Sequence, residues 1–274
     1  MKSFRQEIRT IVLWSVSALL VFAVSLGIFG GWHDEWSGYN AGTKISDGSC
    51  NIAIVPIMGE IGIVGDGESL FTTADETLSL LRIAEKDPDI HGVLVRIDSL
   101  GGSPVASEII TDALKRFSLP VVSLIRESGT SAGYRVATGA DIIFASPVSD
   151  IGSIGVTMSY LDNTQKNMQD GFKYVSLTSA QFKDYGNPDK PLTSSERALL
   201  ERDLKIYHEQ FVKAVAENRG LSVDYVAKLA DGSSMPGALA LQNKLIDALG
   251  DQETTRAWFA EKLGITPEEV VFCE

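Results

Sequence analysis

Histidine is scarce. The 274 residues include three, His33, His91 and His208. His33 lies just past a long apolar run, His91 immediately precedes a strand-like segment, and His208 falls in a charged helical pattern. Each reads as solvated or structural, so a Ser-His-Asp triad is disfavoured. Cysteine is nearly absent as well, with only Cys50 and Cys273. Two lone cysteines without Cys/His spacing argue against a zinc site, and no metal is expected. Outside the first ten residues there is no basic cluster, and the net charge is −12. Nucleic acid is therefore not an expected partner. The Gly-Lys-Ser/Thr of a phosphate loop is missing, and no cofactor is expected. No internal repeat or low-complexity tract interrupts the chain.

Long apolar runs are also missing, with one exception. Ile11 to Trp32 is a stretch of 22 residues without a charge. At about 1.5 Å per residue it reaches about 33 Å, enough for a bilayer core. Lys2, Arg5 and Arg9 precede it, and Asp34 and Glu35 follow. The expectation is a single-pass anchor over 11–32, with residues 1–10 cytoplasmic and the rest of the chain outside the cytoplasm. The short apolar core and A-x-A-like site of a cleaved signal peptide are not present. Residues 33–50, rich in Gly, Ser, Asn and Asp, read as a linker. Both cysteines fall on the exported side, where a disulfide can form; the sequence does not decide whether they pair.

The remainder, 51–274, reads as one domain. Ile52 to Ile57, Val93 to Ile97, Val121 to Ile125 and Ile142 to Ala145 are short apolar strand candidates. Helical patterns over Thr73–Lys86, from Pro104 to Phe117, and over Ser131–Gly139 alternate with them. This alternation predicts an α/β fold with a mostly parallel sheet. Further strands are expected over Gly155–Tyr160 and Lys173–Leu177, with a surface loop over 179–192. Thr193 and Glu196 form a capping box that opens a long helix to Arg219. Shorter helices are expected near 222–230, 237–243 and 252–263.

Four constellations carry chemistry. Ser131, between small residues at a strand-to-helix junction, is a position that presents a nucleophile. An ordinary turn gives the same pattern. Gly101 and Gly102 end a strand and enter a helix, which frees backbone amides for an oxyanion or a substrate main chain. Lysine can replace the missing histidine base if burial disfavours its ammonium form. Lys183 has apolar and aromatic neighbours in sequence, but spacing does not select it over Lys166, Lys173 or Lys190. Ser153, between glycines in Ile151-Gly152-Ser153-Ile154-Gly155-Val156, could orient an amine or simply occupy a turn.

Taken in order, the glycine loop, Ser131-Ala132-Gly133-Tyr134, Gly152-Ser153-Ile154-Gly155-Val156 and the Lys183 segment resemble bacterial signal peptide peptidase A in its short form. The resemblance covers roughly 50–255. It implies a Clp protease/crotonase-like fold of repeated ββα units and a serine–lysine dyad. On that basis Ser131 is the nucleophile, Lys183 the general base and Ser153 the serine that hydrogen-bonds the lysine. Gly101 and Gly102, with Ala132, supply oxyanion or substrate-binding amides. A homo-oligomer with sites at subunit interfaces is implied. Two departures stand out. Leu100 replaces a usual proline, and Ala132 and Arg135 replace a usual glycine and a second tyrosine.

The expectation is a membrane-anchored serine endopeptidase acting on remnant signal peptides or other apolar, membrane-associated peptides. A related protease for one specific membrane protein and a catalytically silent scaffold are the rival readings. A crotonase-like acyl-CoA enzyme is disfavoured by export, since CoA is cytosolic.

Overall fold

Strands form where branched apolar residues run without interruption. The computed structural model describes residues 44–64 and 71–273. The expected anchor at 11–32, its cytoplasmic flank and the first part of the linker lie outside the described residues. Among the described residues, no helix is long and apolar enough to cross a membrane. β1 (Ile52–Gly62), β2 (Phe71–Thr73), β3 (Gly92–Gly102), β4 (Val121–Thr130) and β5 (Ile142–Ala145) contain all four strand candidates. The sheet order is β2-β1-β3-β4-β5-β8, with β8 (Ala248–Leu249) at the edge. The neighbours along this path are parallel.

Period-two alternation divides the strand residues between two faces. Ala53, Val55 and Ile57, Val93, Val95 and Ile97, and Val121 and Ile125 enter one apolar core. On that core pack α1 (Ala74–Lys86), α2 (Pro104–Lys115), α3 (Ala132–Ala137) and the end of α5 (Ser194–Arg219). Ile52, Leu94, Val122, Leu124 and Phe144 face the other way, against Phe259 and Ala260 of α8 (Gln252–Leu263). A sheet buried on both faces explains why the strands are nearly continuous in apolar residues.

The upper ends of the central strands bend to make the site. The β1–β3 register shifts between Met58 and Glu60, and the β3–β4 register between Ile97 and Ser99. Such irregularities re-aim strands and are frequent beside active sites. Below the shift β4 pairs with β5, and above it Ser128–Thr130 pair with β6 (Asp150–Gly152). Residues 98–102, beyond the strand candidate that ends at Ile97, thus remain strand, because β1 and β4 continue to take their backbone groups. β6 pairs in turn, antiparallel, with β7 (Ser234–Pro236).

The helices after residue 193 begin and end close to the expected positions. The Thr193–Glu196 capping box is present, and Gly220 closes α5 in the left-handed conformation. α6 (Val223–Leu229), α7 (Gly237–Gln242) and α8 follow. The strands expected at Gly155–Tyr160 and Lys173–Leu177 do not form. Between them lies only the short α4 (Thr164–Gln169). A strand needs a neighbour to take its amides and carbonyls. Residues 157–162 and 170–181 are instead exposed, without a sheet partner.

A last strand, β9 (Phe272–Cys273), pairs in parallel with Ile52 and Ala53 at the start of β1. There Cys50 and Cys273 are joined by a disulfide across a sequence separation of 223, with Cα atoms 5.2 Å apart. This pairing answers the question that the two cysteines leave open in the sequence.

Candidate active site

Ser131 lies between the end of β4 and the first residue of α3. Its dihedrals are φ 51° and ψ −122°. A Cβ makes this region costly, about 1–3 kcal/mol, and such residues persist only where the surroundings over-determine them. Here the backbone is held on both sides. The Ser131 amide donates to Gly152 O at 2.7 Å, and its carbonyl accepts from Arg135 N at 3.0 Å. Among the described residues, positive φ at a non-glycine occurs at Ser131, Ser153 and Lys244. Two of these three are the serines singled out from the sequence.

The support beneath α3 is rigid. Tyr134 is fully buried and donates its hydroxyl to Leu245 O at 2.7 Å. Burial pushes its phenol well above the ordinary value, so the group remains a protonated donor. Gly133 lets α3 close on β3, since a Cβ there would lie 2.9 Å from Ser99 O.

Gly101 and Gly102 run directly against the nucleophile position. Their φ values are 126° and 147°, a range that favours glycine. A Cβ on Gly101 would fall 2.8 Å from Ser131 Cβ and 3.1 Å from its Oγ. One on Gly102 would fall 2.2 Å from Ile61 O. The Gly101 amide is already engaged, donating to Ser99 Oγ at 3.1 Å. Ser99 Oγ donates in turn to Gly59 O at 2.6 Å. Ala132 is the first residue of α3, so its amide has no carbonyl of its own helix to pair with. Thr130 Oγ1 donates to Leu100 O at 3.1 Å and ties the glycine loop to β4.

A cavity of about 100 Å³ opens beside Ser131, walled by Gly102, Pro104, Arg135, Val156 and Phe211. A larger groove of about 710 Å³ lies along the glycine loop, between Met58, Leu100 and Ser128. Glu60, Asp98 and Glu127 give the groove an acidic lining.

The remaining candidates are dispersed. Ser153 directs its hydroxyl to Gly232 O at 3.0 Å, and its amide donates to Ser233 O at 3.0 Å. No lysine is its partner there. Lys183 stands exposed in a run of turns and is not among the residues lining the cavity at Ser131. Lys190 is paired with Glu196. Lys166 and Lys173 are exposed. Neither His91 nor His208 reaches the cavity, and His33 lies outside the described residues. Within one chain, then, Ser131, Ala132, Gly101 and Gly102 come together, and Lys183 does not join them.

The sequence alone does not point to the supporting groups. Gly152 O fixes the Ser131 amide through the β4–β6 pairing, which is a property of topology. Glu108, which pairs with Arg135, lies 27 positions before it and shares no motif with it.

Known proteins resemble the chain in sequence over most of its described length. Two sequences named "Putative protease", MJ0651 of Methanocaldococcus jannaschii and slr0021 of Synechocystis sp., are 32% and 34% identical to it. The aligned regions cover 71% and 72% of this chain, and 63% and 72% of those relatives. Protease 4 of Haemophilus influenzae is 29% identical over 79% of this chain, which spans only 34% of that longer protein. Among solved structures, a point mutant of ClpP1 from Listeria monocytogenes superposes with a TM-score of 0.48 at 15% identity. That superposition covers 73% of this chain and 91% of the other. The model of one family matches residues 113–266, from the end of α2 past α8. By that match, over more than half of its length, the chain belongs to peptidase family S49.

Proposed function

We propose that this chain is a membrane-anchored serine endopeptidase of the serine–lysine type, active on signal-peptide remnants or similar apolar peptides. Ser131 is the nucleophile. Lys183, delivered by a neighbouring copy, is the base, and Ser153 orients it. The fold is of the Clp protease/crotonase type, with the anchor at 11–32 holding the site near the bilayer.

The observation that carries this reading is the strained backbone of Ser131 beside the Gly101–Gly102 loop. Strain held by fixed hydrogen bonds at a cavity is a mark of a functional residue. The reaction then follows ordinary acyl-transfer chemistry. The free amine of Lys183 accepts the Ser131 Oγ proton as Oγ attacks the peptide carbonyl. Backbone amides, Ala132 foremost, stabilise the oxyanion. The lysine ammonium returns the proton to the leaving amine, and water then releases the acyl group.

One feature supports a base that comes from another copy. Lys183 is carried by a segment with unusually apolar exposure. Leu161 is 84% exposed, Met168 and Phe172 69%, and Leu177 96%. Monomeric proteins seldom leave so much apolar surface in water. Lysine acts as a base once burial disfavours its charged form, and docking of this segment would supply that burial. The Cys50–Cys273 disulfide supports an oxidising compartment for the domain.

The test is labelling with a serine-reactive probe and hydrolysis of an apolar peptide. Wild type should react in both, and Ser131→Ala in neither. Full activity in Lys183→Ala would remove the lysine from the dyad. Mixed Ser131→Ala and Lys183→Ala chains should recover activity if the base acts between copies. A catalytically silent scaffold would show no labelling in wild type.

A further inference from the structure

We infer that Arg135 selects the substrate residue at the cut, favouring a side chain that ends in an oxygen acceptor, carboxylate above amide. This rests on Ser131 being the nucleophile, as proposed above. Arg135 follows Ser131 by four residues, in the first turn of α3, and both line the same cavity. It is the one charged residue lining the cavity beside Ser131 among the described residues, and the other walls are mostly apolar or small.

The guanidinium is partly enclosed and poorly satisfied. The Arg135 side chain is 12% exposed. Its Nη2 lies 3.3 Å from Glu108 Oε2, and its Nη1 donates to Pro104 O at 3.4 Å. Both are long for charge-assisted contacts, which ordinarily fall at about 2.7–2.9 Å. Nε is buried without a partner among the described residues. A guanidinium carries five N–H donors, and these two weak contacts leave most of them unused. Glu108 is itself 57% exposed, so water screens much of its charge.

A charged donor stripped of water by a bound substrate is costly unless the substrate supplies an acceptor. The cavity, at about 100 Å³, has room for a side chain and little more. A substrate bound for attack by Ser131 would place the side chain next to the scissile carbonyl in this space. A glutamate or glutamine oxygen would reach the unused N–H groups of Nη1 and Nη2, while leucine would displace their water and offer no acceptor. Sites built to bond a polar substrate group discriminate strongly against analogues that lack it. The preferred substrate would thus be an apolar segment interrupted by one acceptor side chain at the cut.

The experiment is cleavage of a peptide library by the full-length protein in detergent, with cut sites mapped by mass spectrometry. Matched peptides with Glu, Gln or Leu before the cut then give kcat/KM. A bond to a charged donor predicts that Glu and Gln exceed Leu by about tenfold or more. Arg135→Leu should reverse that order, and Arg135→Lys should retain part of it. Glu108→Gln, a change at an exposed side chain, should widen the margin of Glu over Gln. This variant guards against misfolding of the arginine replacements. A wild-type preference for Leu, or an order unchanged in Arg135→Leu, overturns the inference. Ser131→Ala separates the two levels. If it still cuts, the nucleophile assignment fails. If it is inert while the Arg135 variants keep the wild-type order, only the selectivity inference fails.

Discussion

Replacing Ser131 with glycine should abolish peptide hydrolysis and yet leave a domain more stable than Ser131→Ala. The conformation at 131, φ 51° and ψ −122°, is unfavourable for any residue with a Cβ and easy for glycine. Alanine keeps the strain, about 1–3 kcal/mol. Glycine removes it but adds about 0.5–1 kcal/mol of unfolded-state entropy relative to alanine. The net gain of glycine over alanine is then about 1 kcal/mol, which in a domain of this size raises Tm by about 2–4 °C. The surrounding bonds, Ser131 N to Gly152 O and Arg135 N to Ser131 O, are backbone bonds that both variants retain. Differential scanning calorimetry of the two variants, run side by side with the serine-reactive probe, reads both quantities. A glycine variant that melts below the alanine variant would refute the strain argument, and with it the main structural support for Ser131 as nucleophile.

Three further outcomes follow from the geometry. Gly102→Ala should destabilise the domain by about 1–3 kcal/mol, the range of overpacked sites, because its Cβ would stand 2.2 Å from Ile61 O; equal unfolding midpoints in urea would contradict this. Reduction, or Cys50→Ser with Cys273→Ser, should cost about 2–5 kcal/mol, seen as a lower Tm with reductant, since the disulfide closes nearly the whole domain. The Glu196 carboxyl is held down to about 2 from an ordinary 4.5, first by the Lys190 ammonium and then by Thr193. Its folded value lies below its unfolded one, so its support for α5 is full above about pH 4.5 and is lost as pH falls towards 2. The gap in Tm between wild type and Glu196→Gln should accordingly close across that window, and a constant gap would argue against it.

The sequence is most legible where burial is continuous or caps are explicit. Val93–Ile97 and Val121–Ile125, apart from Arg96 and Ser123, carry apolar residues on both faces because helices cover both sides of the sheet, and Thr193 and Glu196 mark the start of α5 by themselves. It is least legible where structure depends on distant partners. Gly155–Tyr160 has strand-like composition, but no neighbouring strand pairs with it, so it does not become one. β9 forms only because Phe272 and Cys273 meet Ile52 and Ala53, a register fixed from the far end of the chain. At the site, small residues around Ser131 disclose a tight turn. The left-handed φ is not disclosed, since the residue that usually marks that conformation is glycine. Lys183 follows from resemblance to a family, and within a single chain its position neither joins it to Ser131 nor accounts for its exposure.

The disulfide between Cys50 and Cys273 makes the domain a covalent ring. Residues 50 through 273 form a closed circuit, with β1 and β9 laid side by side at the closure. A single nick in the exposed stretch around 170–181 would open that ring without parting it. The product would be a circularly permuted domain with new ends in the nicked segment and its old ends still joined. An accidental cut there leaves one molecule where a linear chain would give two.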